Sequence, residues 1–164
     1  HVLYQSSGWI SNIRLSPHGD RIAFMDHPAL WDTRGVISVV DLAGQVHTFS
    51  SEWKSEDGLA WRPDGKEIWF TAVEHGHDLS LMAVDLSGKL RTVLDLPVGI
   101  TLQDIAPDGR PTELRGEGGA VLQIGEQDPG TGAGERAGGG GTEARGAPRD
   151  DGGISVELHA ASGA

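Results

Sequence analysis

The sequence predicts an all-β chain: a partial β-propeller of about two four-stranded blades plus the start of a third, with a disordered Gly-rich C-terminal tail. Three observations predict it. Apolar residues alternate with a period of two on either side of tight turns, which puts one face of each strand into a core. Two kinds of turn recur in register, 44 to 46 residues apart. The pattern then stops near residue 110, where glycine takes over. A period of roughly 40 to 45 residues with four short strands marks a propeller blade. Helical repeats of that length are disfavoured, because the apolar period is two rather than about 3.6. An ordinary β-sandwich with coincidental turns is the competing architecture.

The first blade is expected over about residues 8–53. His1 to Ser7 reads as the end of an earlier repeat, with Val2-Leu3-Tyr4 apolar enough for a strand. Ile10, Ile13 and Leu15 lead into the turn Ser16-Pro17-His18-Gly19-Asp20. Pro17 presets φ at the first central position, and Gly19 accepts the left-handed conformation that ends such a turn. Ile22 and Phe24 follow on one face. Residues 26–35 form a connection rich in breakers. Val36 to Asp41 is β-branched and reads as a strand. Asp41-Leu42-Ala43-Gly44 is a turn, and Gln45 to Phe49 alternates as the fourth strand.

The second blade, about 54–98, repeats the first. Leu59 and Trp61 alternate before Pro63-Asp64-Gly65; Ile68 and Phe70 alternate after it. Trp61 is expected in the core between blades. Trp69 points to the other side, against a neighbouring sheet. Leu79 to Asp85 matches the strand at 36–41, and Asp85-Leu86-Ser87-Gly88 matches the turn at 41–44. Pro17 and Pro63 are 46 residues apart; Pro63 and Pro107, Asp41 and Asp85, and Gly44 and Gly88 are each 44 apart. A third copy begins at 99–110 with Ala106-Pro107-Asp108-Gly109.

Leu15-Ser16-Pro17-His18-Gly19-Asp20-Arg21-Ile22-Ala23-Phe24, Trp61-Arg62-Pro63-Asp64-Gly65-Lys66-Glu67-Ile68-Trp69-Phe70 and Ile105-Ala106-Pro107-Asp108-Gly109-Arg110 resemble the WD40-like (PD40) repeat of TolB-type β-propeller proteins. The resemblance covers about residues 8–110. It implies six or seven blades in a whole protein. Similar repeats occur in TolB-type proteins, in the propeller of prolyl-oligopeptidase-type peptidases and in the extracytoplasmic part of some bacterial membrane Ser/Thr protein kinases. Ile68-Trp69-Phe70-Thr71-Ala72 and Thr101-Leu102-Gln103-Asp104-Ile105 look most like the kinase-linked propellers. His18 stands where the repeat usually has Asp. This should weaken a local side-chain hydrogen bond without changing the turn.

Residues 111–164 contain no Phe, Trp or Tyr, although the chain has nine, and they hold 15 of its 25 glycines. Such composition buries too little apolar surface to offset backbone ordering, so disorder is expected. Val121 to Ile124 and Ile154 to Leu158 are expected to form isolated strands at most. A reading-frame change near residue 110 would explain how GC-rich DNA came to encode Gly, Ala, Arg and Glu.

The chain has 164 residues, a net charge of -11 and no cysteine. The charge argues against nucleic acid and anionic membrane surfaces, which need clustered Lys and Arg. Without cysteine there are no disulfides, thiolate chemistry or Cys-zinc sites. No apolar run approaches a membrane span, so this segment is not expected to insert. A chain starting at His1 rather than Met is expected to be a fragment or processed product. Phosphate-loop, Ser-elbow and zinc-helix motifs are absent from the sequence.

His75-Gly76-His77-Asp78 is the one metal candidate, with Glu74 or His27 as a third ligand. A solvated interstrand loop is its ordinary alternative, and no metal or other cofactor is expected. Asp26 with His27, or Asp32 with Arg34, could line one propeller face, though such residues are more often ordinary loop residues. Trp31 and Trp53 sit in connections and are the candidate partner anchors, with a buried role open for both. The expectation is a non-catalytic scaffold that binds a protein or small ligand and needs further blades. By the resemblance it is extracytoplasmic, part of a kinase sensor region, of a peptidase's gating propeller or of a TolB-like periplasmic protein.

Overall fold

Two turns, each closed by a left-handed glycine, set the architecture. In the first kind the amide of Gly19 donates to the Ser16 carbonyl at 2.9 Å, that of Gly65 to Arg62 at 2.9 Å, and that of Gly109 to Ala106 at 2.8 Å. All three glycines have φ near +70 to +90° (71, 68 and 87°), where a side chain is strained. In the second kind Asp41 Oδ1 accepts from the amides of Ala43 and Gln45, and Asp85 Oδ1 accepts from those of Ser87 and Lys89. The aspartates thus hold the hairpin register directly. His18 leaves its turn intact, as expected. Where Asp64 accepts from the Lys66 amide, Ser16 Oγ accepts from the equivalent Asp20 amide at 3.2 Å.

The computed structural model describes residues 1–49, 52–73, 79–95, 99–109, 111–116, 121–126 and 154–159. Twelve strands occur among them: β1 Trp9–Leu15, β2 Arg21–His27, β3 Val36–Asp41, β4 Val46–Thr48, β5 Glu56–Trp61, β6 Glu67–Ala72, β7 Ser80–Asp85, β8 Leu90–Leu94, β9 Ile100–Ile105, β10 Pro111–Gly116, β11 Val121–Glu126 and β12 Ile154–His159. They form three four-stranded antiparallel sheets, β1–β4, β5–β8 and β9–β12, each a simple meander. The first strands β1, β5 and β9 pack side by side, so the sheets stack like blades about one axis. No helix among the described residues is long and apolar enough to cross a membrane.

Sheet two is buried on both faces. Leu59, Trp61, Ile68, Phe70, Met82 and Val84 meet Ala23, Met25, Ile37 and Val39 of sheet one. From its other face Ala60, Trp69, Leu81 and Ala83 meet Ile100, Leu102 and Ile105 of β9. Trp61 and Trp69 therefore take the opposite sides that alternation assigns them. The Trp61 indole also donates to the Arg14 carbonyl at 3.1 Å, tying sheet two to sheet one. β1 and β5 each carry a bulge, at Ser11/Arg14 and Asp57/Leu59. The left-handed residues Asn12 (φ 50°) and Gly58 (φ 61°) sit in them. A Cβ on Gly58 would lie 2.1 Å from the Leu102 carbonyl oxygen, so only glycine lets β5 approach β9.

Two expectations are corrected. Val2-Leu3-Tyr4 forms no strand. Its tyrosine instead packs on Phe24, ring centroids 4.9 Å apart. Strand structure also does not end at 110. β10 pairs with β9, β11 with β10, and β12 with β11 across Glu126↔Ile154 to Val121↔His159. These strands are paired, not isolated. Ladder formation needs backbone groups and short alternation, such as Ile154, Val156 and Leu158, rather than aromatic residues. The rest of the segment read as a tail, 117–120, 127–153 and 160–164, lies outside the described residues.

Candidate functional site

The alternating strand directions put the repeated turns on one rim and the longer connections on the other. The connection rim carries loop 28–35, which joins β2 to β3 and ends in the breakers read from the sequence. The Asp32 amide donates to the Ala29 carbonyl at 3.1 Å, closing a tight turn. Trp31 lies inside it at φ 64°, a left-handed conformation unusual for a bulky residue. Trp31 is 79% exposed and its neighbour Leu30 66%. The indole is thus held outward on a left-handed backbone.

The loop's second arm is fixed by charge. Arg34 grips Asp32 through Nε and a terminal nitrogen, at 3.1 and 2.6 Å. Hydrogen bonding from Arg34 holds the Asp32 carboxyl below the usual range and raises the guanidinium in return. Glu52 approaches the same guanidinium at 3.5 Å. Beneath the loop the buried His27 supports it. Its Nδ1–H donates to the Arg34 carbonyl at 2.8 Å, which leaves Nε2 to accept from Ser11 Oγ at 2.6 Å in the neutral ring. Trp9 stacks on His27 at 4.6 Å and its indole N–H donates to the Asp32 carbonyl at 3.3 Å. Trp31 adjoins Trp9 at 5.6 Å. The three rings make a short aromatic stair from core to solvent.

Next to this stair lies a buried acid. Glu56, the first residue of β5, is only 4% exposed, and among the described residues neither carboxyl oxygen has a hydrogen-bond partner. Burial first, and the charge of Asp26 second, push its pKa up to about 8. The carboxyl sits against Gly35, whose missing side chain leaves the space. The Glu56 amide donates to the Thr33 carbonyl at 2.9 Å. Asp26 accepts hydrogen bonds from the Tyr4 and Ser6 hydroxyls. The bond to Asp26 first, then burial, raise the Tyr4 phenol to about 12.

Asp26, Trp31, Asp32 and Arg34 thus lie at one rim, with His27 buried beneath it. Trp53 differs: it exchanges backbone hydrogen bonds with Gly35, and this turns its ring inward onto Phe70 at 5.8 Å. It is half-buried core, not a free anchor. Glu74, His75, His77 and Asp78 lie outside the described residues. Among the described residues no three His, Cys, Asp or Glu side chains cluster as a metal site would require. Sequence reasoning missed Glu56, Trp9, Ser11 and Tyr4. The signal for Glu56 was available: it occupies the repeat position of Ile10 and Ile100, 46 residues earlier and 44 later.

No family model and no curated protein matches the chain. Solved structures do. TolB from Acinetobacter baumannii is similar over 78% of this chain and 29% of its own, with 21% identity and a TM-score of 0.51. A putative TolB from Agrobacterium tumefaciens matches 74% of this chain and 43% of its own, with 17% identity and a TM-score of 0.55. The tricorn protease matches over 72% and 11%, with 12% identity and a TM-score of 0.50. At these identities the likeness is one of fold, and the chain spans less than half of each neighbour. The partial β-propeller read from the repeats is borne out.

Proposed function

We propose that this chain is a non-catalytic β-propeller scaffold that binds a protein or small ligand through the connection rim, with Trp31 as the anchor. The observation that carries the reading is the exposed, strained Trp31, seated on Trp9 and His27 and braced by the Asp32–Arg34 pair. Buried aromatic anchors dominate interface energies, so a pre-positioned indole binds with little ordering cost. The net charge of -11 suits a partner other than nucleic acid. The parent is an extracytoplasmic sensor region of a bacterial Ser/Thr protein kinase, a reading supported by the resemblance of the strands at 68–72 and 101–105. A second reading, the gating propeller of a serine peptidase, is favoured by the fold likeness to the tricorn protease. A TolB-like interaction protein is the third, favoured by the likeness to the two TolB structures. Flanking coding sequence separates them: an upstream kinase domain with a membrane span, a downstream hydrolase domain, or a signal peptide alone.

A photo-crosslinking residue placed at Trp31 tests the rim. The control position is Leu42, also exposed but in a turn of the opposite rim. Discrete adducts from position 31 and none from position 42 are expected in cells. Equal labelling from both, or none from 31, refutes the reading.

A further inference from the structure

We propose that Glu56 is a proton-operated latch on loop 28–35: the loop is fastened while the carboxyl holds its proton and released when it ionises. The inference rests on the reading of that loop as the binding element. Its first support is position. Two sister repeats place isoleucine here, Ile10 and Ile100, so packing alone does not call for an acid. The second is fit. A Cβ on Gly35 would lie 2.1 Å from Glu56 Oε1 and 2.8 Å from the Asp26 carbonyl oxygen. Glu56 Oε1 and that carbonyl oxygen therefore border one notch that only glycine leaves open. A neutral carboxyl tolerates that neighbour, and a carboxylate does not.

The third support is connectivity. Residues 53–56 staple the loop's second arm: Gly35 and Trp53 exchange N–H···O bonds at 3.4 and 2.8 Å, and Glu56 N–H reaches Thr33. Forcing a charge into the notch pushes on the same few residues that hold the loop down. Among the described residues, the charged groups facing it do not neutralise it. On β2, Asp26 is of like sign and already accepts from Tyr4 and Ser6. His27 is committed to Ser11 and the Arg34 carbonyl. In the loop, Arg34 is turned to Asp32 and Glu52. On β5 itself, the neighbouring Asp57 carboxylate accepts from the Gly58 amide and is again an acid.

Hydrogen exchange of the full chain, corrected for intrinsic pH effects, tests the latch without any partner. In the wild type, the amides of loop 28–35 and of Trp53 and Glu56 should lose at least about tenfold protection between about pH 6 and about pH 9. Glu56→Gln should stay protected at both. Glu56→Ile, the residue of the sister repeats, carries the same expectation if the glutamine variant fails to fold. Equal wild-type protection at both pH values overturns the latch, as does a variant that opens like the wild type. Because the assay contains no partner, such a result leaves the crosslinking test of Trp31 standing, and a failed crosslink leaves the latch standing.

Discussion

Replacing Glu56 with glutamine removes a titratable proton while keeping the shape of the side chain. The native state holds that proton up to about pH 8, whereas the unfolded chain releases it near 4.5. Between these values the folded state binds more protons than the unfolded one, so stability falls as pH rises. The contribution is whole below 4.5 and gone above about 8. Each pH unit in the window is worth about 1.4 kcal/mol, which makes the full loss up to ~5 kcal/mol. A domain of this size commands only about 5–15 kcal/mol in total, so the effect should dominate its pH profile. Urea titrations followed by tryptophan fluorescence, from about pH 5 to about pH 9, measure it. The difference between wild type and Glu56→Gln should widen steadily to pH 8 in favour of the variant, then level off. Parallel curves would refute the reasoning, since the acid would then be reaching water in the folded state.

Three further outcomes are expected. Burial alone would raise the Glu67 carboxyl, but hydrogen bonds from Arg91, Trp69 and Arg62 overcome it and hold the pKa at about 2. Its stabilisation is present above 4.5 and lost as pH falls through about 2; discounted for solvent screening, Glu67→Gln should cost on the order of 1 kcal/mol at neutral pH and little at the acid end, read by denaturant titration. Trp61→Phe removes the indole bond to Arg14 across two sheets and should cost about 1 kcal/mol beyond the lost ring area, measured by thermal unfolding. Gly58→Ala combines a left-handed backbone with a collision against β9 and should cost about 2 kcal/mol or more; a neutral result in the same assay would place β5 and β9 farther apart.

What the sequence made legible is what repeats. Gly19, Gly65 and Gly109 announce one turn, and Asp41 and Asp85 another, because each turn needs a particular φ or a particular acceptor. The opposite facing of Trp61 and Trp69 followed from a period of two. Where local chemistry was not unique, the reading failed. β10 carries no aromatic residue and gave no strand signal, and the short alternation at 121–124 and 154–158 did not show that β11 and β12 pair into one sheet with it. Trp53 gave no sign of facing Phe70, since that orientation comes from a bridge to Gly35, 18 residues away. Glu56 was overlooked because a glutamate at a strand start reads as solvated; only alignment with Ile10 and Ile100 marks it as buried.

The two rims of the stack differ for a physical reason. A propeller blade closes at its turn rim with hairpins of fixed length, whose hydrogen bonds leave little freedom in sequence. The same Gly-ended turn therefore recurs three times within 0.1 Å in its closing bond. The connection rim has no such constraint. The segments there must only span from one strand to the next, and their side chains are left to other uses. Departures from the repeat gather at this rim: a tryptophan in a left-handed turn, a histidine buried beneath it, and a glutamate where the sister blades have isoleucine. Each breaks a local rule of stability. A strained Trp31 and a buried Glu56 with no hydrogen-bond partner among the described residues both cost free energy that the repeated turns and the sheet-two core supply. Sites that violate local consistency while the scaffold around them obeys it are where function is expected to lie. Restoring consistency by Glu56→Ile should therefore stabilise the chain at alkaline pH and, in the same step, leave loop 28–35 insensitive to protons.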